Sequence, residues 1–449
     1  MIISESLNIS SYRQIRKHWQ DILLVSAIAV LVGLASYKGA ELINPNIFLD
    51  KQTTDSWFQS DTTRVFADMT EYGIMHHRTD VHPLFVILIT PVVHVVKAAF
   101  SLNAVTAVRI VIATVTALNF SLLFILLRLI GCRLLDTTLF LLLAVISAAT
   151  LFWVVIPETY PFGLLSILLA LVFVVLAQNQ KFSPVWYMLV NTLTLSFTVT
   201  NWMVGILATI VNHSWRQSLQ VILKGFCLLA VLVIGQKIIL PTTSARFLVP
   251  VLAVRDEIVD LGVLVPRSGG PLIVIKCFIF DTIVMPAIQL FDNIHPPYWS
   301  CMSVQMSSPG SASVWGSIAV ILWIALLSLG VWGFFSIRKH LQLRIVLGFT
   351  ILGQLALHIM YGDETFLYTL HFLPLLLVLV ALSTLTRARV LALVLIGALI
   401  VSAGINNSQQ FSQAVAFSHS QGPLCARTDA KCAVNGNIVS TPKVVKPNL

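Results

Sequence analysis

Charge is what this chain lacks most. Asp, Glu, Lys and Arg together make up 10% of its 449 residues, against about 25% in an ordinary soluble domain. Apolar residues fill the gap, at 57% with a mean hydropathy of +0.88. A soluble globular enzyme is excluded, and so is a charge-rich disordered chain. Cysteine is scarce too. There are six, none at metal-ligand spacing, which excludes a zinc module. Cys132, Cys227 and Cys277 lie in or near apolar runs and read as packing residues. Cys425 and Cys432, in the polar C-terminal stretch, would pair only in an oxidising compartment. The chain has no P-loop, no His-Glu-x-x-His, no Gly-x-Ser-x-Gly and no Cys-x-x-Cys. ATP hydrolysis, zinc proteolysis and serine hydrolysis therefore drop out. No internal repeat, no soluble nucleotide-sugar domain and no period-two alternation of a membrane barrel is visible.

Long apolar runs are present instead. They cover approximately 21–40, 83–100, 103–130, 134–156, 160–177, 184–214, 217–240, 314–336, 343–360, 364–384 and 390–405. Runs of about 18 or more residues with few charges read as transmembrane helices. The fold class expected is all-α, a polytopic membrane helical bundle of about eleven spans. No clear small-residue cleavage site follows Arg13, Arg16 and Lys17, so the first run reads as a retained span. The formal net charge of +9 sits beside the runs, where basic residues set topology. No nucleic-acid partner is expected. Placing Arg13/Arg16/Lys17, Arg128/Arg133, Arg216/Lys224, Arg338/Lys339/Arg344 and Arg387/Arg389 on the cytoplasmic side makes two demands. The segment 83–100, short and carrying His94 and Lys97, must not cross. The run 184–214 must split into two short spans that turn near Thr200-Asn201. The N-terminus is then cytoplasmic. Residues 44–82, Glu158, the stretch 241–313 and Gly362-Asp363-Glu364 face outside. The organisation expected is a module over 1–240 with an outer loop 44–82, an outer loop 241–313, C-terminal spans over 314–405, and a polar, poorly ordered outer tail over 406–449.

The few charges are concentrated. Six of nineteen acids lie between Asp50 and His82 (Asp50, Asp55, Asp61, Asp68, Glu71, Asp80), with three of eleven histidines. Read as a helix over 55–72 with Ser60 as N-cap, Asp61, Arg64, Asp68 and Glu71 share one face. Phe58, Val65, Met69 and Tyr72 share another, the pattern of a helix lying on a membrane surface. A solvated loop helix is the plain alternative. His82-Pro83 opens the next run, and Glu158 stands between two runs in "PETYPF". Glu364, Tyr368 and His371 fall on one helix face, where a histidine inside a span needs a wet cavity or a partner. Each also has an ordinary reading: an interfacial histidine, a turn marker, a packed core residue. Arg267, Lys276 and His295 are the outer cations of the 241–313 loop.

These residues resemble the GT-C superfamily of integral-membrane glycosyltransferases. The resemblance is to bacterial family-39-like members related to protein mannosyltransferases and aminoarabinose transferases. It rests on Asp61 in "SDTTRVFADM", "VHPLF" at 81–85 and "PETYPF" at 157–162, in order over residues 20–240. Thr62 stands where the family often has Glu, Leu84 replaces the second proline of its His-Pro-Pro pattern, and the arginine of its second acidic motif is absent. The resemblance implies sugar transfer from a polyprenyl-phosphate donor to a glycan, lipid or protein acceptor among membrane lipids. The reaction would run at the outer face of a cell membrane, the bacterial inner membrane. It would be an inverting single displacement with Asp61 as base and Glu158 as second catalytic residue. Arg64, Asp68, Arg78, His82, Arg267, Lys276, Tyr368 and His371 would bind substrate. Charge on the leaving phosphate would be met by arginine, lysine or a divalent cation, with no metal ligands assigned and no other cofactor. The rival functions are a transporter or flippase of lipid-linked substrates and an oligosaccharide polymerase or ligase.

Overall fold

The computed structural model describes residues 2–50, 55–245, 248, 269–292, 300–360 and 364–420. Nearly all of this is helix: α1 (Ile2–Leu42), α2 (Thr62–Thr70), α3 (Phe85–Ala99), α4 (Ala104–Leu129), α5 (Leu134–Ile146), α6 (Ala148–Trp153), α7 (Tyr160–Ala177), α8 (Pro184–Phe197), α9 (Trp202–Ile210), α10 (Trp215–Ile239), α11 (Pro271–Lys276), α12 (Val314–Ser336), α13 (Leu341–Met360), α14 (Thr369–Ala381) and α15 (Arg389–Ser420). An antiparallel pair, β1 (Gln289–Asp292) with β2 (Ser300–Ser303), is the one sheet among the described residues. Eight described helices are long and apolar enough to cross a membrane. The chain is a polytopic helical membrane protein.

Two polar links fix the direction of the first helices. Asp21, early in α1, takes Arg128 Nε at 3.0 Å from the end of α4. Arg109, early in α4, donates to the Ile43 carbonyl at 3.0 Å, just past α1. The helices are therefore antiparallel, and the whole connection 43–103 begins and ends at one end of the bundle. Within it α3 lies along α2: Thr90 Oγ1 donates to Asp68 O at 2.7 Å, and His94 Nε2 sits 3.1 Å from Thr70 O. At about 1.5 Å per residue, α3 is too short for a bilayer core of about 30 Å.

The run 184–214 is broken as expected. Thr198 is extended, at φ −158°, and a short 3-10 turn (Val199–Asn201) joins α8 to α9. The carbonyls released at the end of α8 find new donors. Leu84 N reaches Ser196 O at 3.0 Å, and the His82 ring binds Phe197 O at 2.7 Å.

Two expectations need correction. The stretch 241–313 is not simply an outer loop. Its segment 271–288 enters the bundle as α11, a π-helical turn (Cys277–Asp281) and an extended return, burying Phe278, Ile283, Val284 and Met285. Phe278 stacks on Phe372 of α14 at 4.1 Å. Irregular backbone inside a bundle must have its polar groups met by protein. The break between α5 and α6 at Ser147 supplies Ala148 N and Ala149 N to Ile283 O and Thr282 O, at 3.1 Å each. Trp323 Nε1 supplies Ile279 O at 2.8 Å.

The rest comes from the second correction. The polar stretch after Ile405 is no tail up to Ser420, because α15 continues through it. Asn407 donates to Ile146 O and Ile283 O and accepts from Met285 N. Asn406 donates to Met285 O, and Gln410 accepts from Ile288 N. What looked solvent-facing is the inner polar stripe of a helix. Cys425 and Cys432 lie outside the described residues.

Candidate functional site

The first long loop begins as a buried plug. Asp55, Phe58 and Gln59 have positive φ, at 67°, 50° and 60°, a conformation that costs non-glycine residues free energy and persists only when the surroundings enforce it. The surroundings do so here. Trp57 Nε1 donates to Phe152 O at 3.2 Å, and Met302 N of β2 donates to Ser56 O at 2.9 Å. Phe58 is edge-on to Phe152 at 5.6 Å and to Phe366 at 5.0 Å. The expected helix over 55–72 is thus only α2, and its N-cap is Asp61 rather than Ser60.

Asp61 makes no capping hydrogen bond. Its carboxylate binds Arg64 Nη1 at 3.0 Å through Oδ1 and pairs with Arg78 Nη2 through Oδ2. Arg64 also reaches Asp55 Oδ1 at 3.2 Å. Burial raises the Asp55 carboxyl above its ordinary range against the pull of Arg64 and Arg78. Two guanidiniums are therefore held side by side at the mouth of the bundle, both partly exposed. Their planar N–H forks suit phosphate oxygens.

Arg78 stands on a loop pinned from several sides. His76 Nδ1 meets Asp68 Oδ1 at 2.6 Å, His76 N donates to Thr242 O at 3.1 Å, and Ser244 Oγ donates to Asp80 at 2.6 Å. Asp68 is buried in this pin and does not open onto the arginines.

Glu158 sits between α6 and α7, 1% exposed. Its Oε2 accepts from Thr159 N at 3.0 Å, while Oε1 has no hydrogen-bond partner among the described residues. Burial pushes its carboxyl up to about 8, although Arg78 and Arg64 pull the other way and Asp55 adds to the rise. Asp61, Arg64, Arg78 and Glu158 therefore share one region. His82 joins it: Nε2 lies 3.3 Å from Thr159 Oγ1, and burial pulls the imidazole down to about 4, so it is neutral at pH 7.

Tyr368 and His371 lie deeper, at the start of α14. The Tyr160 ring is 5.7 Å from His371 and 6.2 Å from Tyr368, which stacks on His358 at 4.1 Å. Neither ring nitrogen of His371 has a hydrogen-bond partner among the described residues.

Lys276 is not brought to the arginines. Its Nζ donates to Gln305 O at 2.8 Å and to Ser307 O, beside a separate buried pair of acids. Glu364 takes a short hydrogen bond from Ser303 Oγ, and burial pushes it up to about 7. Asp281, on the π-helical turn, is wholly buried, with no hydrogen bond of ordinary geometry to its carboxylate among the described residues. Asp281 escaped the sequence reading because one acid in an apolar stretch looks like any loop acid. Arg267, His295 and Asp363 lie outside the described residues. No group of three His, Cys, Asp or Glu side chains able to hold a metal ion occurs among the described residues.

No known family model, curated protein or solved structure matches the chain.

Proposed function

We propose that the protein transfers a sugar from a polyprenyl-phosphate-linked donor to an acceptor at the outer face of a cell membrane. The observation that carries this reading is the arginine pair, Arg64 and Arg78, gathered on Asp61 at the mouth of a helix bundle with buried Glu158 in electrostatic reach. The arginines would receive the lipid phosphate as it leaves, which is where negative charge grows during displacement. A carboxylate would take the acceptor proton. An apolar cavity of about 450 Å³, lined by α1, α5, α6 and Phe411, opens beside the mouth and would take lipid.

The positive-inside bias supports this sidedness. Arg128, Arg133, Arg338, Lys339, Arg387 and Arg389 lie toward the end of the bundle away from Asp61, and under the positive-inside bias the site would face outside with the N-terminus in the cytoplasm. The eight long helices with α5–α6, α8 and α9 would make the about eleven spans of the sequence reading, although α8 and α9 are no longer than α3; α3 is left out because it lies along α2. In a bacterium this is the inner membrane. Purified protein in nanodiscs should release free polyprenyl phosphate from polyprenyl phosphate carrying a radiolabelled hexose, with envelope lipid and glycan extract as acceptor. No release from glucosyl, mannosyl, galactosyl or aminopentosyl donors would refute the reading.

One observation favours transport as a second reading. The interrupted helix at Ser147 meets the re-entrant segment 271–288, with buried Asp281 at its turn, and transporters build sites from such broken elements. Flipping of a fluorescent polyprenyl phosphate hexose in proteoliposomes, without its breakdown, would select it.

A further inference from the structure

We propose that Glu158 is the proton acceptor of the transfer, and that Asp61 is a positioning residue that holds Arg64 and Arg78 for the donor phosphate. This rests on the transferase reading. It reverses the order that the sequence suggests, and geometry is the reason. Both oxygens of Asp61 are engaged, Oδ1 by Arg64 and Oδ2 by Arg78. Protonation there would remove the charge that holds both guanidiniums, so Asp61 is the poorer proton acceptor. Glu158 keeps Oε1 without a hydrogen-bond partner among the described residues and uses Oε2 on Thr159 N.

The rivals are worse placed. His82 spends Nδ1 on Phe197 O, and as a neutral, buried imidazole it is a weak base. Asp55 is tied to Arg64. Glu364 is held by Ser303, with Lys276 rather than Arg64 or Arg78 as the cation it feels. The charged and titratable groups facing Glu158 are Arg64, Asp55 and Arg78 from the outer loop and His82 across Thr159. Tyr160 follows it in the chain, and His371 packs against Tyr160.

The step balances. The acceptor oxygen forms the new bond to the anomeric carbon. The bond from that carbon to the phosphate oxygen breaks, and its electron pair leaves on the lipid phosphate beside Arg64 and Arg78. The hydroxyl proton passes to Glu158 Oε1 and then to solvent. Burial that raises the carboxyl to about 8 makes Glu158 a stronger base than a solvated one, at the cost of its being mostly protonated at pH 7. Turnover should then climb with pH, reach half its ceiling near 8 and level off above it.

The test is the pH dependence of polyprenyl phosphate release in nanodiscs, for the wild type, Glu158→Gln and Asp61→Asn. Glu158→Gln should lower kcat by about 100-fold or more and abolish the rising limb. Asp61→Asn should raise the donor KM and keep the limb. The infrared carbonyl intensity of protonated carboxylic acid that is lost on titration through 8 should be smaller in Glu158→Gln than in the wild type, the remainder belonging to Glu364, and undiminished in Asp61→Asn. A rising limb that survives in Glu158→Gln and vanishes in Asp61→Asn overturns the proposal while leaving the transferase reading intact. A wild type inert on every donor overturns that reading first, and the proposal with it.

Discussion

Gly163 passes so close beneath His371 that a Cβ at that position would stand 2.2 Å from Nε2 and 3.0 Å from the two adjoining ring carbons. Helices α7 and α14 touch there, one turn below Glu158. A methyl group forces one helix to shift, and overpacking of this kind costs about 1–3 kcal/mol. Gly163→Ala should lower the thermal midpoint in detergent. His371→Ala in the same chain should return part of the loss, because the two changes share one contact. An unchanged midpoint in the single variant would mean that the helices part freely.

Asn407 satisfies three backbone groups of two irregular segments. Each buried group left unmet costs about 1–3 kcal/mol. Asn407→Leu should therefore destabilise by roughly 3 kcal/mol or more, whereas Ser408→Ala, on the exposed side of the same helix, should change little. Equal midpoints for the two variants would contradict the bonding described.

The Glu158 carboxyl binds its proton more tightly in the folded chain than its ordinary value of 4.5 allows, up to about 8. The stability linked to that proton is complete below 4.5 and is lost as pH rises through about 8. Glu158→Gln cannot lose it. The thermal midpoint of the variant should gain on the wild type between about pH 5 and pH 9. His82, pulled down to about 4 from 6.5, acts in the opposite direction: its contribution is complete above 6.5 and drains as pH falls toward 4. A difference between Glu158→Gln and wild type that stays flat across the range would show that Glu158 ionises as an ordinary carboxylate.

Ser101 lies between α3 and α4 at the end of the bundle that holds Asp61. Asn179, just past α7, lies at the other end. In a cysteine-free chain, a single Cys at Ser101 should react with an impermeant thiol reagent from outside, and one at Asn179 only from the cytoplasm. Labelling of Ser101→Cys from the cytoplasm would mean that 83–100 crosses, and the orientation up to Trp202 would have to be redrawn.

Much of this architecture was legible in the chain. Thr200-Asn201 in the middle of an overlong apolar run marked a turn, and α8 and α9 meet there. The acids of 44–82 marked the loop that the bundle holds at one end. Asp61, Arg64, Arg78, His82 and Glu158 do gather, because the loop returns to the helix ends that carry the last two. Asp68 and Lys276 do not join them. Nothing local distinguishes a carboxylate that faces a cleft from one that locks a histidine, or a lysine in a cleft from one that caps carbonyls. The re-entry of 271–288 was hidden for a different reason. Its backbone is satisfied by Asn406, Asn407 and Gln410, more than a hundred residues later, in a stretch whose polarity by itself reads as solvent-facing.

Phe58 leans on Phe366, and Asn44 N donates to Ser418 Oγ at 3.2 Å. These contacts set a schedule for biogenesis. The first loop emerges early in synthesis, yet surfaces that mould it belong to the 3-10 turn Thr365–Tyr368 and to α15, which are made some three hundred residues later. Asp55 and Asp61 cannot take their places until those later segments have been made. An abandoned chain would hold the charged groups of the site in its membrane without the geometry to use them.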